Sequence, residues 1–249
     1  MSEPRILFGF HAVQSRMRQH ATSIQEILID EDRVDPRMKD LLKLAEASDI
    51  RVMQVDRGRL DGMAGRNGRH QGVIARVVDT PIPYKDIHDV LESDLKEPPF
   101  FLILDGVEDP HNLGACLRVA DGMGVHAVIA PKDRAVGLNA TVRKVASGAA
   151  ETVPFISVTN LARTIRELKE AGVFVIGTTM DSRSTLFNTK LDGPIALVLG
   201  SEGDGIRRLT AENCDALVTI PMFGSVESLN VSVASGICLY EVRRQRNAV

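Results

Sequence analysis

From Phe100 onward the chain alternates short apolar runs with segments of helical period, and no other feature restricts its fold as much. FFLILDGV, HAVIAP, VFVIGTTM, IALVLG and ALVTIPM read as strands; NLGACLRVADGMG, LNATVRKVASGAA, NLARTIRELKEAG and a last segment from about Ser228 read as helices. Such alternation gives an α/β domain, a mostly parallel sheet with helices on both faces, because each helix returns the chain to the edge where the next strand starts. Ligands of these sheets sit beyond the carboxyl ends of the strands, so the loops there are where chemistry is expected.

Ahead of this domain, residues 77–99, VVDTPIPYKDIHDVLESDLKEPP, hold four prolines and six acids. That is linker composition, although IHDVLESDL has the pattern of a short amphipathic helix. The expected organisation is a domain over 1–76, a linker over 77–97 and a second domain over 98–249. The 249 residues, 44% hydrophobic, suffice for one large or two modest cores. In the first domain Ile24 to Asp30 and Arg51 to Val55 read as strands, and MKDLLKLAEASD places Met38, Leu41, Leu42 and Ala45 on one helix face. LDGMAGRNGRHQG then reads as a basic, glycine-rich loop leading into the strand VIARVV. A solvated loop accounts for it; so does an RNA-binding module, since glycine lets backbone approach closely and arginine pairs with phosphate.

A net charge of -3 argues against an obligate polyanion binder, but the distribution is uneven. Residues 1–76 carry 13 Lys and Arg against 11 Asp and Glu, residues 77–99 carry 2 against 6, and residues 100–249 carry 15 against 16. Any nucleic-acid face is therefore local, and the N-terminal domain is its first owner. No apolar run approaches the ~20 residues of a membrane helix, and MSEPRILFGF lacks a signal-peptide pattern, so the expectation is a cytoplasmic protein with no membrane partner. Cys116, Cys214 and Cys238 are isolated and never form a CxxC pair. They are expected as buried small hydrophobes, with no disulfide and no metal site.

Three loops draw attention. In DGVEDPHNLGACLRVADGMGV, Pro110 and Asn112 supply a turn and a helix cap. Leu113, Cys116, Leu117 and Ala120 form the apolar stripe, and Arg118 lies roughly 140° from Leu113, beside Ala115 and Gly122. Arg118 is either an ordinary surface arginine or a charged fork that small neighbours leave open to a ligand or a partner chain. In GSEGDG, residues 200–205, the glycines fall as G-x-x-G-x-G, matching neither the dinucleotide fingerprint nor the NTPase phosphate loop. That glycine order argues against a nicotinamide oxidoreductase, and Glu202 within the loop would repel phosphate, which favours a ligand without one. In IPMFGSVESLNVSVASGICLYEVRRQ, Ser228 reads as a helix cap, and Ser228, Ser232 and Ser235 as one small polar face. That face suits close helix packing or a subunit interface; alternatively Ser228 and Asn230 present hydrogen-bonding groups beside the Gly200 loop.

Taken together, N-x5-R at Asn112 and Arg118, LGSEGxG from Leu199 to Gly205 with Ile206, and IPM with SLNVSVA from Ile220 and Ser228 resemble the three motifs of the SpoU/TrmH family of RNA ribose 2'-O-methyltransferases, in the SPOUT superfamily. The resemblance spans about residues 100–245, and the N-terminal segment resembles the family's L30e-like substrate-binding domain. It implies a SPOUT-type trefoil-knotted parallel sheet preceded by a small L30e-like α/β domain, a homodimer with sites completed across the subunit interface, and S-adenosyl-L-methionine as cofactor.

The resemblance further implies that backbone groups around Gly200, Ile220 and Leu229 hold the cofactor, with Thr178 as a neighbour. Arg118 would take the central catalytic place. Because guanidinium stays protonated, its expected role is to bind the phosphate beside the target ribose and to stabilise the developing alkoxide, rather than to act as a base. Glu202 and Asn230 would orient Arg118 or the nucleotide, with Asn112 and Ser228 in support, and Arg66 and Arg69 would bind RNA. The implied substrate is 23S rRNA, at a guanosine of the peptidyl-transferase P loop; the alternatives are a tRNA ribose methyltransferase of the same family and a non-catalytic RNA-binding or ribosome assembly factor.

Overall fold

The computed structural model describes residues 5–65, 69–78, 84, 86–201 and 203–247. The chain divides into two units, Met1–Pro83 with Ser147–Thr152 and Tyr84–Ala146 with Val153–Val249.

In the first unit, β1 (Arg5–Phe8), β2 (Ile24–Asp30), β3 (Val52–Val55) and β4 (Val73–Val77) form a sheet in the order β1-β4-β2-β3. β4 runs antiparallel to both its neighbours, and β2 runs parallel to β3. Successive residues of β2 serve opposite faces, as a period of two requires. Ile27 and Ile29 enter a core with Phe10, Val13 and Met17 of α1 (Phe10–His20) and Met38 and Leu41 of α2 (Pro36–Ala47), while Leu28 packs with Val55, Ile74 and Leu60 of α3 (Arg57–Ala64). α2 starts where Asp35 accepts the Met38 N–H at 3.0 Å and Pro36 opens the first turn.

α3 corrects the loop expected from Leu60. Asp56 caps the helix by accepting the Arg59 N–H at 3.0 Å, and Leu60 is fully buried. Cap and anchor together outweigh Gly58 and Gly62, which cost about 1 kcal/mol each inside a helix. The helix therefore runs to Ala64, and Gly65 ends it with a φ of 72° that suits glycine.

The second unit holds β5 (Phe100–Asp105), β6 (Ala127–Pro131), β7 (Phe155–Val158), β8 (Phe174–Thr178), β9 (Ile195–Gly200) and β10 (Ala216–Val218), in the order β10-β8-β9-β5-β6-β7. Every pairing in it is parallel. One face packs Phe101, Ile103, Ala196 and Val198 against Leu161, Ile165 and Leu168 of α7 (Leu161–Glu170). Ile87 and Val90 of α4 (Ile87–Leu91) join this core, so the amphipathic part of the proline-rich segment packs as structure. On the other side α5 (Pro110–Gly122) packs against α6 (Ala140–Ala146) and α9 (Val231–Arg246). α8 (Arg208–Asn213) precedes β10. Cys116 and Cys238 are buried and Cys214 partly so; burial pushes their thiols up to about 11, about 12 and about 12, with Asp215 adding to the effect on Cys214.

The carboxyl end of α9 is locked by Glu97. Its carboxylate takes both forks of Arg243 at 2.5 and 2.6 Å, and Arg246 lies 3.7 Å away. Arg246 also donates to the carbonyls of Pro98, Pro99 and Gly193 at 3.0, 3.1 and 2.7 Å, and both arginines lie over the Phe100 ring, 5.3 and 4.9 Å from its centre. The Arg243 hydrogen bonds hold the Glu97 carboxyl below the usual carboxylate range. Glu97→Gln is expected to destabilise the second unit by about 2 kcal/mol at neutral pH. Because the folded-state value is depressed, this contribution is present above the unfolded carboxylate pKa and disappears as pH falls through the folded one. Thermal melts should show the gap between wild type and variant closing below about pH 4.

Candidate functional site

A cavity of about 600 Å³ opens where β8, β9 and β10 end, lined by residues 178–181, 199–201, 203–206, 219–222 and 227–229 with Val231 and Ala234 of α9. Its size falls in the range of small-molecule sites. Its position is the one that parallel sheets favour.

The glycine loop after β9 is built by its own backbone. Ser201 N–H donates to the Gly205 carbonyl at 3.2 Å and Gly205 N–H to the Ser201 carbonyl at 3.1 Å, with Gly203 at φ 91° and Gly205 at φ 66°. A Cβ on Gly200 would lie 1.9 Å from the Gly205 carbonyl carbon and 2.2 Å from the Ile206 nitrogen, so the turn exists only with glycine there. Asp105, opposite Gly200 in the β5–β9 register, fixes the loop's exit. It accepts the Arg207 N–H at 2.9 Å, and its other oxygen lies 3.2 Å from Arg207 Nε, with the carboxylate fully buried. Reading the sequence for glycines missed Asp105. The available signal was a carboxylate ending an otherwise apolar strand.

The cavity's electrostatics are one-sided. Asp181, Asp204 and Glu227 line it, and no Lys, Arg or His does so among the described residues. Among those residues the backbone N–H groups of Ile220, Met222 and Leu229 also donate to no protein acceptor. The arrangement suits a ligand with positive charge and hydrogen-bond acceptors, and it disfavours a phosphate.

Gly200, Ile220, Leu229, Thr178 and Ser228 all line this cavity. The Thr178 hydroxyl donates to the Val198 carbonyl at 3.2 Å, tying the ends of β8 and β9 together. Asn112 and Asn230 meet outside the cavity lining: Asn230 Nδ2 donates to Asn112 Oδ1 at 2.9 Å, joining the amino ends of α5 and α9. Asn230 Oδ1 accepts the Ser232 N–H at 2.9 Å and the Ser232 hydroxyl at 2.6 Å. Asn230 is therefore the cap of α9, in place of Ser228, which stays in the loop; asparagine is as good a cap as serine. With the helix starting at Val231, the three serines do not share a helix face, and Ser235 is buried 3.6 Å from the Cys116 sulfur. Asp109 likewise caps α5 in place of Asn112, accepting the His111 N–H at 2.9 Å with Pro110 next.

Arg118 is exposed on α5, is not part of the cavity lining, and has no hydrogen-bond or ion-pair partner among the described residues. Glu202 and Arg66 lie outside the described residues. Arg69 is exposed. Next to it, His70 is buried: Gly72 N–H donates to its Nδ1 at 3.1 Å, so the ring proton sits on Nε2, 2.8 Å from Asp61 Oδ1. No group of three or more His, Cys, Asp or Glu among the described residues is placed to hold a metal ion.

The SpoU rRNA Methylase family matches residues 99–240, and the RNA 2'-O ribose methyltransferase substrate binding family matches residues 6–81. The chain is 59% identical to the 23S rRNA (guanosine-2'-O-)-methyltransferase RlmB of Ralstonia nicotianae, covering 100% of this chain and 99% of that one. It is 57% identical to the protein of the same name from Nitrosomonas europaea, over 99% and 94%. In fold it is similar to the SpoU methyltransferase AviRb of Streptomyces viridochromogenes, solved in complex with AdoMet, with a TM-score of 0.76 at 21% identity over 98% of this chain and 91% of that one.

Proposed function

The chain belongs to the SpoU rRNA methylase family, and from that premise we propose that it transfers a methyl group from S-adenosyl-L-methionine to the 2'-hydroxyl of a guanosine ribose in 23S rRNA. The observation that carries this reading is the cavity at the ends of β8, β9 and β10, acidic, free of basic side chains among the described residues, and edged by unspent backbone donors. When bound there, the cofactor supplies an electrophilic methyl group on a sulfonium centre and no phosphate.

The backbone around Gly200, Ile220 and Leu229 binds the cofactor, and Thr178 keeps the strand ends that support it in register. Arg118 binds the phosphate beside the target ribose and stabilises charge developing on the 2'-oxygen. The Asn112–Asn230 pair fixes the amino ends of α5 and α9, and thereby the start of the helix that carries Arg118. Glu202 and Asn230 orient Arg118 or the target nucleotide, and Ser228, which lines the cavity, supports them. Positioning of the hydroxyl in line with the methyl carbon provides much of the rate.

The protein works as a homodimer in the cytoplasm. Two observations support the dimer: Arg118 is not part of its own chain's cavity lining, and Val233, Ile237 and Tyr240 leave an apolar stripe on α9 that is 52%, 38% and 60% exposed. A second copy that covers this stripe brings its Arg118 to the neighbouring cavity. The N-terminal domain holds the RNA through Arg66 and Arg69. Neutralising both should weaken RNA binding and flatten its salt dependence by about one unit of slope per lost phosphate contact; an unchanged slope removes these arginines from the interface. Transfer of labelled methyl to deproteinised 23S rRNA in preference to total tRNA tests the substrate.

A further inference from the structure

The loop between β10 and α9 exposes an aromatic ring at the edge of the site. Phe223 is 94% exposed, the most exposed of the large hydrophobic residues among those described, and Val226 in the same loop is 60% exposed. Both flanks of the loop line the cavity, Pro221 and Met222 before the tip and Glu227 and Ser228 after it. A Cβ on Gly224 would have nothing within 4 Å, so the tip stands clear of the protein. A phenyl ring held in water forgoes the burial that most phenylalanines obtain, and a chain with 4% aromatic residues and no tryptophan places this one at its reaction site.

An RNA ribose whose 2'-hydroxyl reaches this cavity brings its own base, or the next one, to the loop tip. Unpaired bases are recognised by stacking on aromatic faces, which needs neither a charge nor a fixed hydrogen-bond pattern. We propose that Phe223 is a stacking platform for an unpaired nucleobase of the substrate RNA, at or next to the methylated nucleotide. This rests on the methyltransferase reading above, and it assigns to the loop tip a part in holding the substrate that the cofactor site itself does not supply.

The test compares full-length wild type with Phe223→Ala, Phe223→Leu and Phe223→Trp. Methylation of deproteinised 23S rRNA is measured against RNA concentration and against salt, with S-adenosylmethionine affinity by calorimetry, molecular mass by light scattering, and melting temperature. F223A and F223L should raise the KM for RNA about tenfold and F223W should restore it, since only tryptophan offers a π-face. The salt slope should not change, because no phosphate contact is lost. Cofactor affinity, mass and melting temperature should stay at wild-type values. An unchanged KM in F223A overturns the proposal, as does rescue by leucine equal to that by tryptophan. A fall in mass for F223A also overturns it, assigning the ring to contact between two copies of the chain. If wild type itself transfers no methyl group, the methyltransferase reading fails; if wild type is active and F223A has a normal KM, only this inference fails.

Discussion

Gly200→Ala should weaken cofactor binding severely while leaving the N-terminal unit folded. The added Cβ would lie 1.9, 2.1 and 2.2 Å from the Gly205 carbon, the Gly205 oxygen and the Ile206 nitrogen. All three are backbone atoms, so no side chain can swing aside. Relief requires the Ser201–Gly205 bridge to open, and the buried Asp105–Arg207 contact at the loop's exit resists that movement. Overpacking in a well-filled region costs typically about 1–3 kcal/mol, and here the strain falls inside the loop proposed to hold the cofactor. The expected result is a dissociation constant for S-adenosylmethionine raised by about 100-fold, equivalent to about 2.7 kcal/mol, read by titration calorimetry. Gly203→Ala is the matched control. A Cβ there meets nothing within 4 Å, and only the φ of 91° opposes it, so its cost should be about 1–2 kcal/mol. Equal effects in the two variants would mean that the loop is not held as described.

Arg118→Ala should lower kcat for methyl transfer by about 10²–10³, the cost of removing one preorganised donor from a site of developing negative charge. Cofactor affinity should be unchanged, because on this reading backbone groups around Gly200, Ile220 and Leu229 hold the cofactor while Arg118 engages the RNA. Arg118→Lys should recover only part of the loss, since lysine keeps the charge and loses the planar fork. Mixing the Arg118→Ala and Gly200→Ala chains tests the dimer directly. If each site joins a cavity from one copy with Arg118 from the other, a mixed dimer contains one intact site, and an equal mixture regains roughly a quarter of wild-type sites. No recovery would place Arg118 in the site of its own chain. Near-normal methylation by the alanine variant would remove Arg118 from the mechanism altogether.

The parallel sheet was legible because its strands are apolar runs bounded by turn residues. The three motif loops were legible because they follow the ends of those strands or start the helix after one. Other elements were hidden for local reasons. In α1 the buried stripe of Phe10, Val13 and Met17 is broken by Arg16, a charged residue only 5% exposed whose Nε donates to Ser23 Oγ at 2.6 Å. β7 and α8 span four and six residues, too short to establish a period. The start of α3 was obscured by two glycines, and the Asp56 cap together with the burial of Leu60 on the far side of the sheet explains why it is helical. Within the candidate site, the glycine spacing excluded a phosphate cradle. The Asn112–Asn230 bond joins residues 118 positions apart, and the Asp105–Arg207 contact depends on β5 lying beside β9. Neither pairing has a local signature, although the carboxylate ending the apolar run of β5 marks Asp105 itself. The helix caps at Asp109 and Asn230 went to neighbours of the expected residues, because several good capping side chains crowd each helix start and geometry selects among them.

The most direct test is nucleotide-resolution mapping of 2'-O-methylation on deproteinised 23S rRNA incubated with the purified protein and S-adenosylmethionine. One new 2'-O-methylguanosine is expected, formed by wild type and strongly reduced with both Gly200→Ala and Arg118→Ala. Methylation of a base in place of a ribose, or a 23S rRNA left unmodified by protein that binds the cofactor, would contradict that expectation.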